Sequence, residues 1–131
     1  MSDAFDADVL IYASLGDPRA ARALRALTSS EPAIGSILLM PETLTKPTRR
    51  GDQADILAVA DLLIRIELKP VDEEIASAAV TLGAKYGLRT ADAVHLATAV
   101  IWGADRFHTN NRKDFGAVTD EIEVIFGVDT T

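Results

Sequence analysis

The stretch AFDADVLIY, residues 4–12, decides the fold, because it places two carboxylates, Asp6 and Asp8, directly against an apolar run. A carboxylate that is buried without a partner is strongly destabilising. β-propensity would extend a strand through Tyr12, whereas an aspartate that ends a strand and starts a helix would stop it near Asp6. In open α/β sheets, ligands bind just outside the carboxyl ends of the strands. The second interpretation therefore makes Asp6 a candidate site residue.

Composition indicates one globular domain over residues 1–131. Twenty acidic residues against 13 basic ones give a net charge of −7, which argues against coating nucleic acid by bulk charge but not against nucleic-acid chemistry at a metal site. The absence of cysteine excludes disulfides and thiolate metal sites. No apolar run reaches the ~18 residues of a membrane span, and the acidic N-terminus does not resemble a signal peptide. We expect a cytoplasmic protein with no membrane contact.

The rest of the chain alternates between helical and extended patterns. Asp17 and Thr90 are predicted helix caps, and Gly87 is a predicted helix end. Such alternation predicts an α/β fold with a parallel sheet covered on both faces. Helices are predicted over residues 17–30, 51–64, 72–87 and 90–104, and strands over 33–40, 65–71, 105–109 and 121–126.

Four acids fall where strands of this sheet would end. Asp6 ends the first strand, and Glu42 lies just beyond the second. Asp92 is in the first turn of a helix, and Asp114 follows the strand over residues 105–109. Carboxylates that converge at one edge repel one another, and the ordinary remedy is a divalent cation with oxygen ligands. The sequence therefore predicts a metal site at this edge.

Three segments together resemble one family. They are FDADVLIY (5–12), LLMPETL (38–44) and GLRTADAVHLATAVIWGADRFHTNNRKDF (87–115). They are similar to PIN-domain proteins and most similar to VapC-type toxin ribonucleases. The resemblance implies a Rossmann-like three-layer α/β/α sandwich with a central, mostly parallel sheet. It also implies an endoribonuclease that depends on Mg²⁺ or Mn²⁺, an RNA substrate, a cognate antitoxin and a homodimer.

The resemblance also implies roles for individual residues. The family often has an aspartate two residues after the threonine of its last motif strand, where this chain has Asn111 after Thr109. A branch of the family carries asparagine there and an acid three residues later, which is Asp114. Asn111 and Thr109 are then supporting residues. The acids expected to bind metal and act in catalysis are Asp6, Glu42, Asp92 and Asp114. One ion would be held by Asp6 and Asp92, and a second would be shared with Glu42 or Asp114.

Basic residues follow two of these acids. Such clusters are usually solvated, but beside a metal centre they could hold the phosphates on either side of the scissile bond. The two interpretations are equally supported by the sequence. The candidates for phosphate contacts are Arg49, Arg50, Arg112 and Lys113.

Other polar residues favour structural roles. Asp8 is expected to cap the helix that follows it, and Asp3 is expected to be solvated. His95 lies one turn after Asp92 and is expected to be a packed or hydrogen-bonded histidine rather than a general base. His108 alternates along a short strand and has a weaker functional claim.

Three other functions compete with the ribonuclease. FDADV also resembles the opening of haloacid-dehalogenase-like phosphatases, but IEVIF (122–126) supplies no late acidic pair. A receiver-type signalling domain needs a lysine at the end of its last strand, where Phe126 and Gly127 stand. A catalytically weak RNA- or protein-binding module is the third alternative, because an amide at Asn111 cannot cancel the charge of a cation.

Overall fold

A computed structural model describes residues 2–29 and 31–127 and contains one parallel five-stranded sheet. The strands are β1 (Asp3–Phe5), β2 (Ala33–Ser36), β3 (Ile66–Lys69), β4 (Arg106–Thr109) and β5 (Glu123–Phe126). Their order is β3-β2-β1-β4-β5, and every neighbouring pair is parallel. From β1 the chain adds β2 and then β3 on one side, and it later adds β4 and β5 on the other side of β1. A topological switch point therefore lies between β1 and β4.

Helices cover both faces of the sheet, as predicted. Phe5 belongs to one apolar core with the first four helices, whereas Ala4 and Phe107 belong to a second core with the last three. Successive residues of β1 thus enter opposite cores, as the pleat of a strand requires. The α-helices of the described residues are α1 (Ala7–Ser14), α2 (Ala21–Thr28), α3 (Leu39–Arg50), α4 (Gln53–Leu63), α5 (Glu73–Tyr86), α6 (Thr90–Ile101) and α7 (Arg112–Phe115).

The first strand ends at Phe5 rather than at Tyr12. The Asp6 carboxylate accepts a hydrogen bond from the Val9 N–H and caps α1, so the apolar run that follows is helical. Val9 and Leu10 are buried on the inner face of that helix. The expectation that Asp8 supplies the cap is wrong, because Asp6 fills that position and Asp8 is exposed in the first turn.

The predicted strand over residues 33–40 is wrong in its second half. β2 ends at Ser36, whose hydroxyl accepts the Leu38 N–H at 3.1 Å, and α3 starts at Leu39. Leu39 is fully buried, whereas Met40 is 41% exposed, which fits one face of a helix. An apolar run of this length does not distinguish a buried strand from a helix start. Glu42 consequently lies in the first turn of α3.

The remaining boundaries lie close to the predictions. Gly87 ends α5 with a φ of 65°, a conformation that favours glycine. Asp17 caps a short 3₁₀ helix over Pro18–Ala20 that precedes α2, and residue 30 of the predicted helix lies outside the described residues. The predicted cap Thr90 is wrong by one residue, since Arg89 holds the N-cap position. None of the described helices has the length and apolar character needed to cross a membrane.

Candidate active site

The centre of the candidate site is the switch point between β1 and β4. Asp6 directly follows β1, and its backbone N–H donates to the His108 carbonyl of β4 at 3.1 Å. The Thr109 hydroxyl, at the end of β4, donates to Asp6 Oδ2. The other oxygen, Oδ1, accepts the Val9 N–H at 3.2 Å. Both oxygens of Asp6 are therefore oriented by neighbouring groups of the chain.

Asp6 is a buried acid whose charge is disfavoured. The residue is 4% exposed, and burial raises the pKa of its carboxyl from 3.8 to about 6. Repulsion by Asp8 adds to the increase, whereas the hydrogen bonds from Thr109 and Val9 lower the pKa. An acid held in this state is stabilised by any cation that binds it. This is the electrostatic property expected of a metal ligand.

Asn111 and Asp114 form a reciprocal pair beyond β4. The Asn111 carbonyl oxygen accepts the Asp114 N–H at 3.1 Å and caps α7, and its amide donates to Asp114 Oδ2 at 2.8 Å. The Asn111 N–H in turn donates to the Thr109 hydroxyl oxygen at 3.1 Å. The hydroxyl of Thr109 therefore connects Asp6 to the loop that carries Asp114. The structure places these predicted site residues in one hydrogen-bonded chain.

Asp92 approaches this chain from the first turn of α6. Burial raises the pKa of its half-buried carboxyl, and the negative charges of Asp114 and Asp8 add to the increase, whereas His95 and Arg89 lower the pKa. No hydrogen bond to its carboxylate is present among residues 2–29 and 31–127, which leaves both oxygens available to a ligand. The negative charge of Asp114 is thus one of the causes that raise the pKa of Asp92.

Glu42 is linked to the site through a histidine. Its Oε1 hydrogen-bonds to Nε2 of His95, which lies one turn beyond Asp92 on α6. His95 is 3% exposed, so its expected role as a hydrogen-bonded, packed histidine is confirmed. Glu42 therefore joins the candidate site by way of α6.

All four acids lie at helix N-termini. Asp6 caps α1, and Glu42, Asp92 and Asp114 lie in the first turns of α3, α6 and α7. The positive end of a helix dipole stabilises a nearby negative charge by about 0.3–1 kcal/mol. Four such helix ends partly offset the repulsion between the acids.

The chemistry of the donors fits a hard divalent cation, which takes carboxylate oxygens and keeps several waters. In the described part of the chain, however, no three acidic or histidine side chains lie close enough to ligate one ion together. A Mg²⁺ or Mn²⁺ ion here would have one or two direct carboxylate ligands, with the other acids acting through water. Asp6 and Asp92, the two acids whose pKa values are raised mainly by burial, are the candidates for direct ligation.

The predicted phosphate contacts lie at different distances from these acids. Arg112 and Lys113 are in α7 beside Asp114, and the Arg112 guanidinium lies 4.3 Å from the centre of the Phe126 ring. Arg49 and Arg50 lie in the last turn of α3, about 10 Å along the helix axis from Glu42. Their role as phosphate contacts stays a prediction.

A groove connects Glu42 to the far end of α3. It has a volume of about 160 Å³ and lies between α1, α3 and α4. Lys46 and Arg50 line it together with Glu42, and Arg50 is paired with Asp55 at 2.8 Å. Two basic side chains and two acidic ones, Glu42 and Asp55, therefore line this groove.

One buried polar cluster was not predicted. Asp3 was expected to be solvated, but it is 1% exposed and accepts bonds from Arg106 at 2.8 and 3.0 Å and from His108 Nε2 at 2.9 Å. The register that pairs Asp3 with Arg106 across β1 and β4 explains the contact. The only signal in the sequence is that Asp3 and Arg106 occupy equivalent positions of two strands. This signal can be recognised only when the strand order is known.

The chain is similar to a known protein family and to solved structures. The PIN domain family model matches residues 4–121. No curated protein sequence matches the chain significantly.

Three solved structures have the same fold. A chain of a toxin–antitoxin complex from Klebsiella pneumoniae is 24% identical, with a TM-score of 0.78 over 97% of this chain and 98% of that chain. A chain of DNA-bound VapBC from Salmonella typhimurium is 16% identical, with a TM-score of 0.78 over 98% and 99%. A chain of VapBC-1 from nontypeable Haemophilus influenzae is 18% identical, with a TM-score of 0.70 over 98% and 100%.

Proposed function

Because the chain belongs to the PIN-domain family, we propose that it is a metal-dependent endoribonuclease and the toxin of a VapBC-type toxin–antitoxin pair. The observation that supports the proposal is the hydrogen-bonded chain from Asp6 through Thr109 and Asn111 to Asp114 at the switch point, together with burial that raises the pKa values of Asp6 and Asp92. The names of the similar structures, which are toxin–antitoxin and VapBC complexes, support the biological role. RNA and an antitoxin would be the partners, and both would be met in the cytoplasm.

The residues of the chain would hold and orient the reacting groups. Asp6 and Asp92 would hold Mg²⁺ or Mn²⁺, with Asp114 and Glu42 completing the set directly or through water. When bound, such an ion supplies a nucleophilic water near neutral pH and offsets the charge that develops on the phosphate. Thr109 fixes one oxygen of Asp6, and Asn111 fixes one oxygen of Asp114. These bonds orient the acids before substrate arrives, which reduces the reorganisation needed for catalysis.

Substrate binding would use the basic residues around the acids. Arg112 and Lys113 would contact the phosphates next to the scissile bond, and Lys46 would contact a strand that runs along the groove beside Glu42. A positive charge on each side of the acids also explains how a protein with a net charge of −7 can hold a polyanion. A homodimer is proposed on the family resemblance.

The direct test is cleavage of a structured RNA by the purified protein with Mn²⁺ or Mg²⁺. Asp92→Asn should lower the rate at least about 100-fold without unfolding the protein. Glu74→Gln is a matched control, because Glu74 is also a first-turn acid but is exposed on α5. Cleavage that persists in EDTA, or an Asp92→Asn variant as fast as the wild type, would contradict the proposal.

Expression in cells tests the toxin role separately. The wild type alone should arrest growth, and Asp92→Asn should remove the arrest. Equal inhibition by both proteins would contradict a catalytic toxin. Binding of RNA without cleavage would instead favour the alternative of a PIN-like binding module, which Asn111 at the usual aspartate position keeps open.

A further inference from the structure

We propose that His95 is a positioning residue that holds the Glu42 carboxylate at the site. His95 Nε2 hydrogen-bonds to Glu42 Oε1, and this bond joins α6 to α3. Because Asp92 lies on the same helix one turn earlier, α6 carries an acid of the site and also fixes a second acid from another helix. The inference rests on the proposed function, in which Glu42 is one of the acids of the metal site.

The difference in burial shows which partner positions the other. The His95 side chain is 1% exposed, whereas the Glu42 side chain is 34% exposed. The neighbours of His95 on α6, Val94 and Leu96, are buried in the second core. A packed imidazole has one orientation, but a glutamate exposed to this extent has several rotamers open to it. The bond therefore restricts Glu42.

Glu42 also had local alternatives. Its place in the first turn of α3 would allow it to remain beside the free N–H groups of that turn. Lys46 lies four residues later, a spacing that suits an ion pair on a helix surface. In the described part of the chain Glu42 makes no ion pair with Lys46 and reaches across to His95 instead. The contact is a tertiary one that local helix chemistry does not require.

The geometry also assigns the hydrogen of the imidazole. An ionised Glu42 can only accept, so His95 Nε2 is the donor. His95 Nδ1 is buried and has no hydrogen-bond partner among the described residues. A hydrogen on Nδ1 would be an unpaired buried donor, which is costly. The hydrogen that faces Glu42 is therefore on His95 Nε2.

The affinity for Mn²⁺, measured by electron paramagnetic resonance, tests the positioning role. His95→Leu should raise the Kd about tenfold or more. In the Glu42→Gln background the same substitution should change it less than about twofold, because there is no carboxylate left to position. His95→Gln should stay within about threefold of the wild type, since its amide nitrogen can replace Nε2 as donor. His108→Gln is the matched control, because this second buried histidine bonds to Asp3 and not to a site acid.

A nuclear magnetic resonance spectrum of the wild-type protein tests the position of the imidazole hydrogen and does not depend on the folding of any variant. The chain has two histidines, so the ¹⁵N shifts of their ring nitrogens can be assigned readily. His95 should carry a hydrogen on Nε2, and an Nε2 without hydrogen would overturn the inference. An equal effect of His95→Leu with and without the Glu42 carboxylate would overturn it too.

If the wild type binds no Mn²⁺ and cuts no RNA, the proposed function fails and the inference fails with it. If Asp92→Asn abolishes binding but His95→Leu leaves it unchanged, the inference alone fails.

Discussion

Replacing Asp6 by asparagine should stabilise the metal-free protein, although it removes a proposed metal ligand. Asparagine is also a good N-cap, so its oxygen can accept the Val9 N–H as the carboxylate does. Its amide can donate to the Thr109 hydroxyl, which can accept as well as donate. The substitution thus removes the buried charge and keeps the shape and the Val9 hydrogen bond, while the bond to Thr109 reverses its direction.

The size of the effect follows from the pKa of Asp6, which is about 6 in the fold and 3.8 without it. Because the folded value is the higher one, the contribution of Asp6 to stability is fully present below pH 3.8 and is lost as the pH rises through about 6. The loss is about 3 kcal/mol at pH 7.5 and about half of that at pH 5. Asparagine does not titrate, so the variant should exceed the wild type by these amounts.

Urea unfolding in EDTA, followed by circular dichroism at pH 7.5 and pH 5, measures both values. In a separate thermal unfolding experiment at pH 7.5, the melting temperature should rise by roughly 10 °C, at about 4 °C per kcal/mol for a chain of this size. Asp72→Asn is the control, because Asp72 also caps a helix, α5, but is exposed. It should change stability by less than about 0.5 kcal/mol at either pH.

Metal should remove most of the stability difference between the two proteins. At a concentration ~100 times its Kd, an ion that binds only the folded state adds about 2.7 kcal/mol to the wild type. Asp6→Asn should gain much less. If the variant is less stable than the wild type in EDTA and gains as much from Mn²⁺, Asp6 is only a helix cap and the reasoning about the site is refuted.

Two further predictions concern the neighbours of this acid. Asp114→Asn should weaken Mn²⁺ binding more than Asn111→Ala, because Asp114 carries the charge and Asn111 orients it; the reverse order in an Mn²⁺ titration would assign the ligand role to Asn111. Arg106→Gln should destabilise the protein by roughly 2–4 kcal/mol, because it removes the ion-pair partner of the buried Asp3. In urea unfolding, Arg65→Gln, at an exposed ion pair, should cost under about 1 kcal/mol, and an equal cost for both would contradict the argument.

The layered fold was predictable from the sequence because helix signals recur between apolar strands. Asp72 and Gly87 enclose α5 as predicted, and the alternation of patterns fixed the parallel sheet. The end of β2 was not predictable, because residues 37–40 are apolar in either structure and only the burial of Leu39 distinguishes a helix start. Tertiary packing decided that boundary.

The four candidate acids were identified through the family resemblance, and their positions at helix N-termini explain how negative charges can be stabilised there. The hydrogen bonds that support these acids were harder to predict from the sequence. Thr109 was expected to support the site, but its bond to Asp6 depends on β1 and β4 being neighbours. The bond between His95 and Glu42 joins residues 53 positions apart on different helices, and no local pattern encodes it.

The position of β1 has a consequence for synthesis. Among the described strands β1 is synthesised before the others, yet it lies at the centre of the sheet, between β2 and β4. The second carboxylate oxygen of Asp6 can accept its hydrogen bond only after Thr109, 103 residues later in the chain, has been synthesised. Contacts of such large sequence separation form late in folding. Under the proposed function, a nascent chain that ends before β4 has no assembled site, so nuclease activity requires that β4 has been synthesised.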